Sequence, residues 1–107
     1  MKITWTEFAT RSLKYIFDYY VENANRKIAH KIRKQILKST RHLKKFPEIG
    51  QIEPNLGKLN QKHRYLVSGN HKIIYRFEID KQEVIISDVF DTRQNPSKMI
   101  DDKRDLI

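Results

Sequence analysis

The stretch HRYLVSGNHKIIYRFEIDKQEVIISDVFD, residues 63–91, decides the fold of this chain. β-Branched and aromatic residues dominate three segments of it, and such residues favour the pleated, half-buried surface of a sheet. Gly69-Asn70 separates the first two segments and suits a two-residue hairpin turn. Asp80-Lys81-Gln82 separates the second segment from the third. We therefore predict three consecutive strands of an antiparallel meander between Arg64 and Arg93.

The middle segment predicts two different sheet faces, because successive side chains of a strand point to opposite sides. One face is apolar and aromatic and must be covered by other elements: Ile73, Tyr75, Phe77 and Ile79. The other face carries two cations together with Ile74 and Glu78: Lys72 and Arg76. In the simplest hairpin registers its neighbours are Tyr65, Ile86 and Phe90. We predict that this second face is open and that a site is built on it.

Two helices precede the sheet in the sequence. Apolar residues recur at helical intervals in the first of them, after a candidate N-cap at Thr4 or Thr6: Ala9, Leu13, Ile16 and Tyr20. The second is predicted from about Arg26 to Lys45, with Asn25 as its cap and an inner face of Ile28, Ile32, Ile36 and Leu43. The short connection between them makes an antiparallel hairpin.

The order of these elements predicts a single α+β domain over residues 1–107, with the layout β-α-α-β-β-β. Met1–Trp5 is a candidate edge strand, and the helical hairpin covers one face of a small antiparallel sheet. Residues 48–62 form a long loop that leads directly into the sheet, and loops of this length are often functional.

Composition narrows the class of protein. The chain has no cysteine, which excludes disulfides and thiol chemistry, and it has no long apolar stretch that would span a membrane. We expect a cytoplasmic protein. The net charge is +9, and nine cations lie between Glu22 and Glu48 with no acidic residue among them: Arg26, Lys27, Lys31, Arg33, Lys34, Lys38, Arg41, Lys44 and Lys45. This run favours a polyanionic or acidic partner; the alternative is a solvated helix face that keeps the protein soluble.

The residue types of a phosphate-binding site are present on and around the predicted sheet. The cations are Lys58, Arg64, Lys72, Arg76 and Arg93, and guanidinium groups match phosphate geometry. The simplest register places Arg64 on the face opposite to Lys72 unless a bulge re-aims it. His71 is a candidate proton donor or acceptor. Asp88 and Asp91 suit ion pairing with Arg93 or Arg76 better than acid–base catalysis. Histidine spacing offers no metal site, and we expect no metal and no cofactor.

Two segments, Arg64-Tyr-Leu-Val-Ser-Gly-Asn-His-Lys-Ile-Ile-Tyr-Arg76 and Asp88-Val-Phe-Asp-Thr-Arg-Gln-Asn-Pro96, resemble the RelE/ParE superfamily of toxins from type II toxin–antitoxin modules, which includes plasmid stabilisation proteins. The resemblance covers nearly the whole chain. It implies a small toxin that a cognate antitoxin neutralises by wrapping around it. RelE-like members cleave messenger RNA in the ribosomal A site with a basic pocket and acid–base residues. ParE-like members poison DNA gyrase without that pocket.

The resemblance implies site residues position by position. Lys72 stands where the family usually has an arginine, and Arg93 matches the arginine after the last strand. Arg64 matches the arginine or lysine that often opens the second strand. Asp91 stands where related chains often carry histidine, and Met99 where RelE-like nucleases place tyrosine. An ionised aspartate cannot donate a proton and methionine cannot titrate. With Asp91 kept as a candidate in spite of this difference, the catalytic candidates are Lys72, Arg76, Arg93, Arg64 and Asp91.

Three functions follow as expectations. The first is gyrase inhibition by a ParE-like toxin, and the second is ribosome-dependent cleavage of messenger RNA. The third is a non-toxic basic module that binds nucleic acid. Nucleic acid would be contacted by Lys58, His71, Lys34, Lys38 and Arg41. The expected partners are a small, acidic, partly disordered antitoxin and either gyrase or the ribosome with its transcript, with no membrane. A homodimer within the toxin–antitoxin complex stays an open alternative.

Overall fold

A computed structural model describes residues 1–53 and 62–92. Strand β1 is Lys2–Trp5, helix α1 is Glu7–Asn23 and helix α2 is Arg26–Arg41, followed by a 3₁₀ turn at His42–Lys44. Strands β2, β3, β4 and β5 are Gln51–Ile52, Arg64–Ser68, His71–Glu78 and Glu83–Asp91. The strands form one sheet in the order β1-β5-β4-β3-β2. No helix within these ranges combines the length and apolarity that a membrane span requires.

The helical hairpin forms as predicted, and each of its helices begins at a side-chain cap. The hydroxyl of Thr6 accepts a hydrogen bond from the amide of Ala9 at 3.0 Å, and the side chain of Asn25 accepts one from the amide of Ile28 at 2.9 Å. These caps satisfy backbone donors that have no partner within the helix. Only Ala24 and Asn25 separate the two helices, so the second must fold back along the first.

The core lies between this hairpin and the sheet. Its buried members come from both helices, the 3₁₀ turn and the two long strands: Ala9, Ile16, Ile36, Leu43, Ile73, Tyr75, Val84, Ile86 and Val89. Two residues predicted to face inwards do not. Ile28 is 40% exposed because Ala29 takes the inner position of that turn, and Ile79 is 62% exposed because β4 ends at Glu78.

The α+β class is confirmed, but the sheet is mixed and not wholly antiparallel. β3, β4 and β5 form the predicted antiparallel meander. β1 pairs with β5 in parallel, with Ile3 opposite Val84, because α1 and α2 return the chain before the meander begins. The predicted loop of residues 48–62 contains the extra strand β2, which pairs with β3.

A bulge changes the face assignment of β5. Tyr75 pairs with Ile86 whereas Ile74 pairs with Asp88, so Ser87 is an additional residue on β5. A bulge of this kind shifts the alternation of side chains by one position. Ile86 therefore lies in the core beside the helices, which corrects its predicted place beside Lys72. Phe90 pairs with Lys72 as expected.

The face that carries Lys72 is not open in the way we predicted. Ile74 and Phe90 lie on it and are only 0% and 2% exposed. Removing such side chains from water stabilises a fold by roughly 1.5–3 kcal/mol each, so an open apolar centre of this face would be costly. The polar positions of the face, Lys72 and Arg76, are half-buried.

Candidate functional site

The ammonium group of Lys72 is held by a buried carboxylate. Lys72 Nζ donates to Glu53 Oε2 at 3.0 Å, and it lies 4.3 Å from the centre of the Tyr65 ring. The side chain of Glu53 is 0% exposed and that of Lys72 is 22% exposed. A carboxylate in such a place must be paired, because an isolated buried charge loses its hydration without compensation. The charge of Lys72 is therefore neutralised within the fold.

Arg76 is paired in the same way on the same face. Its Nη1 donates to Glu78 Oε1 at 2.7 Å, and its side chain is 16% exposed. The Arg76 hydrogen bond, followed by that of Lys81, lowers the pKa of the Glu78 carboxyl, so this partner stays ionised at neutral pH. Lys72 and Arg76 are four positions apart on β4, about 13 Å along the strand. Each one holds its own carboxylate, and the two do not form a shared cationic pocket.

Arg64 lies on the opposite face, as the simplest register indicated. It pairs with Tyr75 across β3 and β4, and its guanidinium lies 5.7 Å from the Phe77 ring. Its Nη1 donates to the backbone oxygens of Gly50, at 2.9 Å, and of Glu48, at 3.3 Å. Arg64 thus holds the segment that enters β2, and it is separated from Lys72 by the sheet.

Tyr75 holds the same segment through its hydroxyl group. Its hydroxyl donates to the Pro47 oxygen at 2.7 Å and accepts from the Gly50 amide at 2.8 Å. Tyr75 is fully buried, and desolvation raises the pKa of its phenol. A Cβ on Gly50 would lie 2.5 Å from the Tyr75 hydroxyl, so the close approach requires glycine. Residues 47–50 are therefore held against the sheet by Arg64 and Tyr75.

His71 and Asp91 come together in a cleft between α1 and the sheet. They are cross-strand neighbours in the β4–β5 register, and both line a cleft of about 540 Å³. The His71 ring lies edge-on to the Tyr20 ring, 6.2 Å between centres. The remaining walls come mainly from α1: Phe8, Arg11, Ser12, Tyr15, Ile16, Tyr19, Tyr20 and Val89. Because Lys72 lies on the other side of the sheet, the predicted catalytic residues that the structure describes do not meet at one place.

Two sequence-predicted site residues, Lys58 and Arg93, lie outside the described residues, and so does Met99. In the part of the chain that the structure describes, no three histidine, aspartate or glutamate side chains come close enough to hold a metal ion. The structure therefore brings together His71 with Asp91, but separates that pair from Lys72 and Arg76 and from Arg64.

The α2 candidates are all at the surface. Lys34, Lys38 and Arg41 are exposed, and within residues 1–53 and 62–92 none of them forms an ion pair. Sequence reasoning counted these cations but did not use their spacing, which would have placed them on one helix face. It also missed Glu53, for which no local signal exists because its partner Lys72 is 19 positions away.

Comparisons with known proteins agree with this fold. The family model described as "ParE toxin of type II toxin-antitoxin system, parDE" matches residues 3–96. A search of curated protein sequences gives no match. Among solved structures, a chain of the "Chromosomal ParDE TA system from P. aeruginosa" superposes with a TM-score of 0.69 at 20% identity, covering 87% of this chain and 97% of that one. This structural likeness shows the fold. The family match over most of the sequence shows that this chain belongs to the ParE toxins of type II toxin–antitoxin systems.

Proposed function

We propose that this ParE-family toxin arrests growth by inhibiting DNA gyrase and that a cognate antitoxin neutralises it. The observation that carries the proposal is the internal pairing of the cations on β4. Lys72 is neutralised by Glu53 and Arg76 by Glu78. The resemblance described above implies gyrase as the target of ParE-like members, which do without a basic catalytic pocket.

Lys72 and Arg76 are poorly suited to the cleavage of a ribosome-bound transcript. A transferring phosphoryl group is stabilised by positive charge aimed at its developing negative charge, and a positioned acid must protonate the leaving oxygen. The described cations of β4 already face carboxylates, which cancels their field at short range. This pairing favours gyrase inhibition over the RelE-like alternative.

Membership in a toxin–antitoxin family implies an antitoxin, and the cleft between α1 and the sheet is the site that we propose for it. Tyr15 and Tyr19 border this cleft and are 70% and 47% exposed. Exposed aromatic side chains beside a groove are typical anchors for an amphipathic helix of a partner. Acidic residues on such a partner would be attracted by the cations of α2, which speeds association more than it tightens binding.

The test is a pair of assays on the same purified chain. We expect inhibition of supercoiling by gyrase and no cleavage of transcripts in a translating system. In cells, induction should arrest growth, and co-expression of the short acidic protein encoded next to the toxin gene should relieve the arrest. Transcript cleavage with unimpaired supercoiling would establish the RelE-like alternative, and the absence of any arrest would favour a non-toxic nucleic-acid-binding module.

A further inference from the structure

Five cations of α2 form one continuous row, which we call the α2 stripe: Lys27, Lys31, Lys34, Lys38 and Arg41. Their spacings of four, three, four and three residues follow the helical repeat. At 3.6 residues per turn they fall within an arc of about 80°, and the row is about 21 Å long. The core-facing residues of the same helix, Ala29 and Ile36, are buried. The α2 stripe is therefore a straight row of charges on the outer surface of the molecule.

Every member of the α2 stripe is exposed and accessible to a partner. None of the five is in an ion pair with any residue in the described ranges. Arg33, which is not in the row, behaves differently, since its guanidinium lies 4.6 Å from the centre of the Phe17 ring and contacts His30. The cations of β4 are paired as well. The unneutralised positive charge of the described chain is thus concentrated on α2.

A protein partner is poorly matched to this row. Protein interfaces are anchored by apolar and aromatic side chains, and their centres are depleted of charge. α2 has no phenylalanine, tyrosine or tryptophan, and its only strongly exposed large apolar side chain is Ile28, near one end. Regularly spaced anions fit better. Lysine and arginine contacts to phosphates depend on charge and need no complementary side-chain pockets.

The geometry points to the phosphate backbone of double-stranded DNA as the ligand of the α2 stripe. Proteins that hold single strands interleave large aromatic side chains with cations so that the bases stack on the rings. α2 has no phenylalanine, tyrosine or tryptophan for this purpose. The major groove of B-form DNA admits a helix between its two phosphate rows, whereas the major groove of A-form RNA is too deep and narrow for one. Because phosphates are contacted and bases are not, binding is independent of sequence. This surface goes beyond the gyrase proposal and does not depend on it.

The test measures binding of the full-length chain to a short labelled DNA duplex at several salt concentrations. With five phosphate contacts the slope of log K against log salt is about −4.5. The variant carrying Lys31→Gln, Lys34→Gln and Lys38→Gln should reduce the slope to about −2 and weaken binding at least about tenfold in low salt. Glutamine has nearly the helix propensity of lysine, so α2 is preserved; circular dichroism checks this.

The control removes three exposed charges elsewhere, with Lys2→Gln, Lys62→Gln and Lys81→Gln; of these lysines, Lys81 forms an exposed ion pair with Glu78. It should keep the slope of the unmodified chain. An equal loss in both variants would overturn the proposal, as would binding that is insensitive to salt. Tighter binding to single-stranded DNA or to an RNA duplex would overturn the choice of ligand. Stripe-dependent binding of poly-glutamate in preference to the duplex would assign the row to an acidic protein instead. Duplex binding without gyrase inhibition would support this surface while contradicting the function proposed above.

Discussion

Lys72 and Glu53 form a hydrogen-bonded ion pair, 3.0 Å from Nζ to Oε2, in which the carboxylate is wholly buried. The pair joins β4 to the end of the segment that carries β2. The pair also indicates the role of Lys72, because an ammonium group that is hydrogen-bonded to a buried carboxylate stabilises the fold. Removing one partner of such a pair costs far more than removing both, since the remaining charge then loses the partner that compensated its burial.

The first prediction concerns the stability of this pair. Lys72→Met should lower the free energy of unfolding by about 3 kcal/mol, because Glu53 keeps its burial and loses the ammonium. The double variant Lys72→Met with Glu53→Gln should recover most of that loss. Urea unfolding of the four members of the cycle measures both numbers. If the double variant is as unstable as Lys72→Met alone, the pair is not the source of the cost.

The second prediction concerns Gly50, whose backbone lies against Tyr75. Gly50→Ala places a Cβ 2.5 Å from the Tyr75 hydroxyl and 2.7 Å from the backbone oxygen of Tyr65. The clash displaces Tyr75 or the Gly50 backbone, and overpacking of this kind costs about 2–3 kcal/mol in unfolding free energy. Thermal or urea unfolding measures it.

Gly69→Ala is the control for that substitution. Gly69 has a φ of 59°, and a Cβ added there would meet nothing within 4 Å, so only backbone strain of about 1 kcal/mol applies. A Gly50→Ala variant no less stable than Gly69→Ala would contradict the close packing of Gly50 against Tyr75.

The third prediction concerns alkaline pH. Burial raises the pKa of Tyr75 above its usual value of 10.0, so the folded chain holds this proton more tightly than the unfolded chain. The resulting stability is complete below the unfolded pKa and is lost as pH rises past 10 through the folded value. The difference in unfolding free energy between the unmodified chain and Tyr75→Phe should therefore shrink in that range. If the difference in unfolding free energy does not change with pH, the raised pKa of Tyr75 is contradicted.

The fourth prediction tests the proposed antitoxin cleft. Tyr15→Ala with Tyr19→Ala should abolish neutralisation by the antitoxin while growth arrest persists, because each exposed aromatic anchor contributes about 2 kcal/mol or more to binding. The unfolding free energy should barely change, since both side chains are largely exposed.

The control for the antitoxin cleft is Phe46→Ala with Ile49→Ala, two side chains that are each 58% exposed and lie away from the cleft. This variant should still be neutralised. Equal effects of the two double variants, measured by co-expression and by titration of the purified proteins, would show that the cleft is not the binding site.

The features that follow local rules could be predicted from the sequence. Thr6 and Asn25 cap the helices, and alternation on β4 places Tyr75 in the core and Lys72 on the reverse face. The bulge at Ser87 could not be predicted, because the run Val84-Ile85-Ile86 is apolar on both faces. It shows no alternation of apolar and polar residues that would reveal a shift in strand register. Simple alternation therefore puts Ile86 on the wrong face.

The pairing of the candidate site residues could not be predicted from the sequence, for a physical reason. Which cations are free depends on contacts between residues far apart in sequence, such as Lys72 with Glu53, and no periodicity encodes them. The α2 stripe is the opposite case. Its spacing is local and visible in the sequence, and only the absence of ion pairs to the rest of the described chain had to come from the structure.

Supercoiling of relaxed plasmid by purified gyrase, with transcript cleavage followed in parallel, tests the central claim most directly. We predict that the unmodified chain inhibits supercoiling and leaves ribosome-bound transcripts intact. The double variant Lys72→Met with Glu53→Gln should inhibit equally, because the ammonium that it removes has only a structural role. Transcript cleavage that disappears in this folded double variant, together with unimpaired supercoiling, would contradict the account.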